Sequence, residues 1–552
     1  MNAQVADRQR WAIMLAVMLG LFLSAMDSTI VGTAMPRVIA DLSGLELYSW
    51  VFTSYMLAST TSVPIVGKMG DIYGRKQFFL AGIVIFLAGS ILSGASQSMT
   101  ELILFRGVQG LGGGFIFANA FAIVGDLFAP AERGRYTGIM SGVFGLASVI
   151  GPLVGGAITD NLSWRWVFYV NIPLGLVALA TISMVLPASQ PRGAGRKLDY
   201  LGAIALAGTV APLLLGFSWA GNEYGWTAPQ VAGCFVVSAV LLAVLLVIEM
   251  RAAEPIVPLR LFRNRIFAVA IAATFISGVG LYAGAVYIPL FMQGVLHFSA
   301  TNAGLVTTPM MVAMVCGSLI GGQVVSRTGK YKWITVLGMG ISATGMFMLS
   351  MLTSDSSQAR GMMDMAVLGF GLGFTIPTLT LAAQNAVPYS MLGVVSAFTQ
   401  FARSVGGTIG VAIMGSVMTR QLDSHLAGGL SPEVQQGAPA PLLEALKSPR
   451  VLLDSHALNL LHDEGFVPIF GADADRLFNG TVASMKTALA ASITDIFFIS
   501  TMIMLTAFAV TFLLAELPLR VTNEAPSAFE TPPDVEPEPA PAHAAEVVAR
   551  SA

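Results

Sequence analysis

Two cysteines in 552 residues, Cys234 and Cys316, both inside apolar runs, leave no disulfide framework and no thiolate metal cluster to build. Redox chemistry and a metal site are excluded with them. Charge is scarce too. Only 11% of the residues are Asp, Glu, Lys or Arg, and a net charge of −2 without any basic stripe excludes nucleic acid as a partner. No Gly-x-x-x-x-Gly-Lys-Ser/Thr loop occurs, which argues against an ATP-driven pump. Neither an enzyme nor a bound cofactor is expected.

Apolar residues make up 55% of the chain, the mean hydropathy is +0.74, and there are 58 glycines. A soluble domain has no use for that much apolar surface, whereas membrane helices associate through small residues and close backbone contact. A helix needs roughly 20 apolar residues to cross ~30 Å of hydrocarbon. Fourteen runs qualify, at 11–33, 48–66, 78–96, 102–125, 136–157, 166–186, 199–219, 230–250, 266–292, 302–325, 333–352, 362–386, 393–418 and 490–515. The first is too long for a signal peptide and carries Asp27 in its apolar core, so it reads as a retained helix. With the amino terminus inside, inner loops hold 19 Lys and Arg, outer loops hold 8 and two lie in helices, the direction that the positive-inside rule requires. Arg251, Arg260, Arg263 and Arg265 in one inner loop are the strongest pin. Both termini are then cytoplasmic, in a multi-pass protein of the plasma (inner) membrane.

Sliding the halves past each other by 255 residues brings Gly67-Lys-Met-Gly-Asp71-Ile-Tyr-Gly74-Arg75-Lys76 onto Gly322-Gln-Val-Val-Ser326-Arg-Thr-Gly329-Lys330-Tyr331, Gly151 onto Gly406 and Gly155 onto Gly410. The simplest organisation is all-α: an amino-terminal six-helix half over 1–198, an inserted helix pair over 199–250, and a carboxy-terminal six-helix half over 251–521. Transporters are commonly built from such repeats, with the substrate between them near the midplane. Residues 419–489 read as a long outer loop in which Leu442, Leu443, Leu446, Leu452, Leu453, Leu458 and Leu461 recur at near-helical spacing. They form either a helical cover on the transporter mouth or a docking surface for an extracytoplasmic partner. Residues 522–552, rich in Pro, Ala and Glu, read as a disordered cytoplasmic tail.

Asp27 sits near the middle of the first run, where an ionised carboxylate costs about 2.5–3.5 kcal/mol on insertion scales. It is expected to face a cavity and to exchange a proton; the plainer alternative is an acid that only hydrogen-bonds a neighbouring helix. At the repeat offset its mate is Tyr282, which confines the acidic function to the amino-terminal half. Arg106, near the outer end of the fourth run, either pairs with a carboxylate and tunes Asp27 or snorkels to water. Gln109 and Asn119 lie further along the same helix, placed to line a polar cavity. Gly151-Pro152-Leu-Val-Gly155-Gly156 removes a backbone donor and leaves a flat face for bending and tight packing. Around the inner loop Asp71, Arg75 and Asp126 are within plausible reach of one another, the makings of a charge lock that holds one conformation.

These residues resemble the major facilitator superfamily and, within it, the fourteen-helix drug:proton antiporters of the EmrB/QacA type, along nearly the whole chain. Gly67-x-x-x-Asp71-x-x-Gly74-Arg75-Lys76 is similar to the superfamily's loop signature, and Gly151-Pro152-x-x-Gly155-Gly156 to that of its antiporter branch. Asp27-Ser-Thr29-Ile30-Val31 through Pro36, Trp164-Arg165-Trp166 through Asn171-Ile-Pro173, and Arg403 through Gly406-Gly407 resemble the fourteen-helix branch. The resemblance implies the major facilitator fold, Asp27 as proton site, Arg106 as its electrostatic partner, and Asp71, Arg75 and Asp126 as the cytoplasmic gate. Two positions depart from it. Gly32 stands where the family usually has Asn, and 302–325 holds no acidic residue, where some members that export dications place one.

For substrate contact the candidates are Tyr55, Phe144, Tyr282, Tyr287, Met310, Met311 and Met314, an adaptable apolar set, with Gln109 and Asn119 as polar members. The leading expectation is a monomeric, proton-driven antiporter that exports hydrophobic small molecules, a multidrug efflux protein of the kind that confers antibiotic resistance. The alternatives are export of an endogenous lipid or metabolite on the same fold, and a membrane receptor or scaffold that does not transport.

Overall fold

The computed structural model describes residues 7–42, 47–187, 198–220, 224–296, 307–388, 391–446 and 455–519. Among them the chain is helical, with an isolated bridge between Ala220 and Tyr224 and no named strand. The long helices are α1 (Asp7–Leu42), α2 (Tyr48–Tyr73), α3 (Arg75–Ala95), α4 (Met99–Leu127), α5 (Pro130–Asn161), α6 (Asn171–Val185), α7 (Tyr200–Trp219), α8 (Pro229–Arg251), α9 (Arg265–Gly294), α10 (Thr308–Thr328), α11 (Lys332–Ser350), α12 (Gln358–Asn385), α13 (Leu392–Gly429) and α14 (Ala474–Phe512).

Helix lies over each of the fourteen apolar runs, and among the described residues twelve spans are long and apolar enough to cross a membrane by length and composition. Helix α2, which carries Ser54, Ser59, Thr60, Thr61 and Ser62, is not among them.

Local chemistry sets several ends. Ser98, Asp199, Asn264 and Ser357 cap α4, α7, α9 and α12 by accepting first-turn amides on their side chains. Gly74 (φ 101°) and Gly329 (φ 71°) make the turns after α2 and α10, in a backbone region that side-chain-bearing residues rarely adopt. They are 255 residues apart, so the offset read from sequence is also a backbone repeat. The end of the bundle that carries these glycines is called the turn end below.

The packing pairs off in the same way. Helix α4 packs on α2 and α3 as α12 does on α10 and α11; α1 packs on α5 as α9 does on α13. Across the two sets the main contacts are α2 with α13 and α5 with α10, while α7, paired with α8, leans on α2 and α13. The offset, however, is not constant, which corrects the single register expected. Gly110 packs on the Tyr55 backbone and Gly369 on that of Met310; Met310 follows Tyr55 by 255 residues, but Gly369 follows Gly110 by 259. A longer connection before α12 absorbs the difference.

Within the segment read as a long outer loop, 419–489, α13 continues to Gly429 and α14 starts at Ala474. The run at 166–186 forms one apolar span, in which the short helix Trp166–Tyr169 leads through Val170, still in the helical region, into α6 at Asn171. The expected tail at 522–552, together with Leu452 and Leu453, lies outside the described residues.

Candidate functional site

Asp27 and Arg106 are both fully buried, at 0% and 1% exposure, which rules out snorkelling by the guanidinium here. Arg106 Nη1 donates to Asp27 Oδ2 at 2.5 Å and to Gln109 Oε1 at 2.7 Å. The other carboxylate oxygen accepts from Gln109 Nε2 at 2.7 Å and Asn171 Nδ2 at 2.9 Å, and the Asn171 amide also reaches Ser90 Oγ at 3.0 Å. One acid therefore ties α1 to α4 and α6, with α3 joined through Ser90. Three donors on two oxygens is the hydrogen-bond pattern of an ionised carboxylate. The Arg106 guanidinium also lies 4.4 Å from the centroid of the Tyr55 ring, whose hydroxyl is 2.9 Å from Ser24 Oγ, so α2 shares the cluster.

The connection from α5 into α6 has a use. Trp164 Nε1 and Arg165 Nη1 both donate to Asp41 Oδ2, at 2.9 and 2.8 Å, and Arg165 Nη2 donates to Ser96 O at 3.1 Å. The connection is pinned to the ends of α1 and α3. Asn171 is thereby delivered at the first turn of α6, pointing at Asp27.

A second charged cluster occupies the turn end. Arg75 Nη2 donates to Asp71 Oδ1 at 2.7 Å, and Arg75 Nε is 3.3 Å from Asp126 Oδ2. Asp71 also accepts the amides of Gly393 (3.2 Å) and Val394 (2.9 Å), the free donors at the start of α13. Gly67 makes room for this crossing: a Cβ there would run into Ala397 and the Gly393 carbonyl. Arg133 Nη2 donates to Gly125 O at 2.7 Å and its Nη1 to Gln384 Oε1 on α12 at 3.3 Å, and Lys68 Nζ pairs with Glu254 at 2.8 Å. Asp71 with α13, Arg133 with α12, and Lys68 with the α8–α9 connection all hold the two helix sets together at one end.

The glycines of the fifth helix serve close packing. Added methyl groups at Gly151 and Gly155 would strike the hydroxyls of Thr29 and Thr33 on α1, whereas one at Gly156 would meet nothing within 4 Å. The Pro152 and Phe144 side chains lie outside the described set. Of the other cavity candidates, Gln109 belongs to the Asp27 cluster. Asn119 donates to Phe115 O at 2.9 Å and Tyr287 to Val411 O at 2.9 Å. Gly369 and Gly373 sit against the backbones of Met310 and Met314, and the Tyr282 ring lies over Gly407. In this conformation these residues make interhelical contacts.

Sequence reasoning missed Ser90, Arg133, Gln384 and Glu254, none of which belongs to a spacing pattern, and Lys68, a variable position inside the Gly67–Lys76 motif. Asn171 stood inside a quoted motif, and that was its only signal. Asp364 was missed as well; it is fully buried on α12.

A helical bundle with two repeated halves, buried charge at mid-depth and cross-half ties at one end defines a membrane transporter rather than an enzyme. The profile of the Major Facilitator Superfamily matches residues 17–411, and the chain belongs to that superfamily. The multidrug transporter protein MdtP of Bacillus subtilis is 36% identical over 95% of this chain and 96% of its own. Multidrug resistance protein 3 of the same organism is 40% identical over 76% of this chain and 81% of its own, and the efflux pump FUS6 of Gibberella moniliformis 33% over 76% of each. The fold matches the human organic anion transporter MFSD10 with a TM-score of 0.56 at 14% identity, covering 90% of this chain and 99% of that one.

Proposed function

We propose that the protein exports hydrophobic small molecules in exchange for protons by alternating access, with fourteen membrane crossings arranged as two six-helix halves and the inserted pair α7–α8. The observation that carries this reading is the buried Asp27–Arg106 pair, since an ionisable couple in an apolar bundle is expensive to keep unless it is used. A proton arriving at Asp27 Oδ2 takes the place of the Arg106 hydrogen bond. The carboxyl then holds α4 less firmly to α1, and Arg106 must find other acceptors. Protonation is in this way coupled to the fit of α1, α2, α4 and α6.

The charge bias of the loops favours a cytoplasmic turn end. Asp71, Arg75 and Asp126 are then the cytoplasmic gate, held by the bonds from Asp71 to the start of α13. The names of the relatives, two multidrug proteins and an efflux pump, favour outward transport of small molecules. Leu442, Leu446 and Leu461 are buried with Phe466 and Leu477 in the apolar core of the second helix set, which favours a cover over a docking surface for residues 430–473.

Purified protein in liposomes tests the reading. An imposed pH gradient should drive accumulation of hydrophobic dyes, and Asp27→Asn should abolish it. Dye movement indifferent to the gradient in the wild type would reject proton coupling.

A further inference from the structure

Asp364 stands six residues into α12, about 9 Å along the helix at ~1.5 Å per residue. It has 0% exposure, and neither carboxylate oxygen has a hydrogen-bond partner. Helical spacing puts it on one face with Leu368, Gly371 and Thr375. That face packs on α11, because Gly345 lies against the Leu368 backbone and Gly371 against Ser342. One turn outward from Leu368, the carboxyl enters the α11–α12 seam at the level of Leu349, itself fully buried.

No donor comes to it from the packed helices. On α9, Tyr287 donates to Val411 O and the Tyr282 ring lies over Gly407. Arg403 of α13 donates to Gln400 Oε1, Arg133 of α5 is held at Gly125 and Gln384, and Arg327 of α10 and Lys332 of α11 stand at the turn end. Arg360, one turn outward on α12 itself, is exposed and donates to Met351 O at 3.4 Å.

We propose that Asp364 is a second proton-binding site, in the carboxy-terminal helix set, and that it holds its proton in this conformation. A bare carboxylate sealed in an apolar seam has neither water nor donors to offset the loss of hydration, whereas the neutral acid is tolerated. Asp27 is the contrast, with three donors on its two oxygens. The two buried acids thus have opposite hydrogen-bond surroundings. Opening of the α11–α12 seam lets water reach Asp364, whose O–H bond breaks as the proton passes to that water and leaves the carboxylate. The presence of the proton does not depend on the antiport reading; only its use in transport does.

Infrared spectroscopy of the full-length protein in lipid at neutral pH tests this without substrate. The carbonyl absorption of protonated carboxylic acids should lose one component in Asp364→Asn and keep it in Asp27→Asn, with any other buried acid contributing equally to both variants. Asp364→Glu, which keeps the acid, should show that component at a displaced frequency and guards against misfolding of the amide variant. Identical carboxylic-acid signals in wild type and Asp364→Asn would overturn the assignment. A transport assay showing no proton coupling would leave this measurement untouched.

Discussion

Asp71 Oδ2 accepts the amide hydrogen of Val394 at 2.9 Å, across 323 residues of chain. The contact joins the last turn of α2 to the first turn of α13, where a helix has unused donors and a partial positive charge, so a carboxylate is well matched to it. Asp71→Asn keeps the shape but loses the charge and one acceptor oxygen. It should shift the population away from this closed turn end by ~1–3 kcal/mol. Spin-label distances across α2 and α13 that match wild type would remove the contact from the gate.

Arg106 and Asp27 should fail together but unequally. Arg106→Ala leaves a buried carboxylate without its cation, which costs about 3–5 kcal/mol in comparable buried pairs, so pH-driven transport should be lost. Arg106→Lys should retain part of it, because an ammonium supplies the charge but not the planar face that lies over the Tyr55 ring. Equal transport by Arg106→Lys and wild type would argue that charge alone matters.

Neighbouring glycines of α5 should differ sharply. Gly155→Ala pushes a methyl group into Ile30 and Thr33 of α1 and should destabilise the bundle by about 1–3 kcal/mol. Gly156→Ala, with open space at its Cβ, should be silent. Thermal unfolding in detergent separates the two, and a destabilised Gly156→Ala would mean that the α1–α5 contact is misread.

Replacing residues 430–473 with a flexible linker should leave dye export largely intact while lowering thermal stability, because Leu477 loses the cover of Leu442, Leu446 and Phe466. Retained proton coupling with lost export would instead make this segment part of cargo delivery.

Asp41 ends α1 beyond the apolar span. The hydrogen bond from Arg165, then that from Trp164, holds its carboxyl below the usual aspartate value. A lowered value means that the contact stabilises the folded state above the ordinary pKa and that this contribution fades as pH falls through the lowered one, below about pH 4. The difference in melting temperature between wild type and Asp41→Asn should be present at neutral pH and shrink in that acid range. A difference independent of pH would show that the tie is not electrostatic.

The amino-acid sequence by itself determined the membrane class, the helices, the repeat and the identity of the two main charged clusters. These properties are local or periodic: apolar runs about the length of a bilayer, glycines at turns, acids and bases at fixed positions in motifs. Gly74 and Gly329 were legible because a left-handed backbone turn restricts residue type at that position alone. The tertiary structure decided who meets whom. Asn171 reaches Asp27 because Trp164 and Arg165 anchor the connection between α5 and α6, and Asp71 finds backbone amides, which no side-chain pattern can announce. The four-residue slip between α4 and α12 leaves no mark in the offset of the glycine turns. Asp364 carried no signal in the sequence; what makes it unusual is its complete burial without a hydrogen-bond donor, which only the packing of α12 on its neighbours creates.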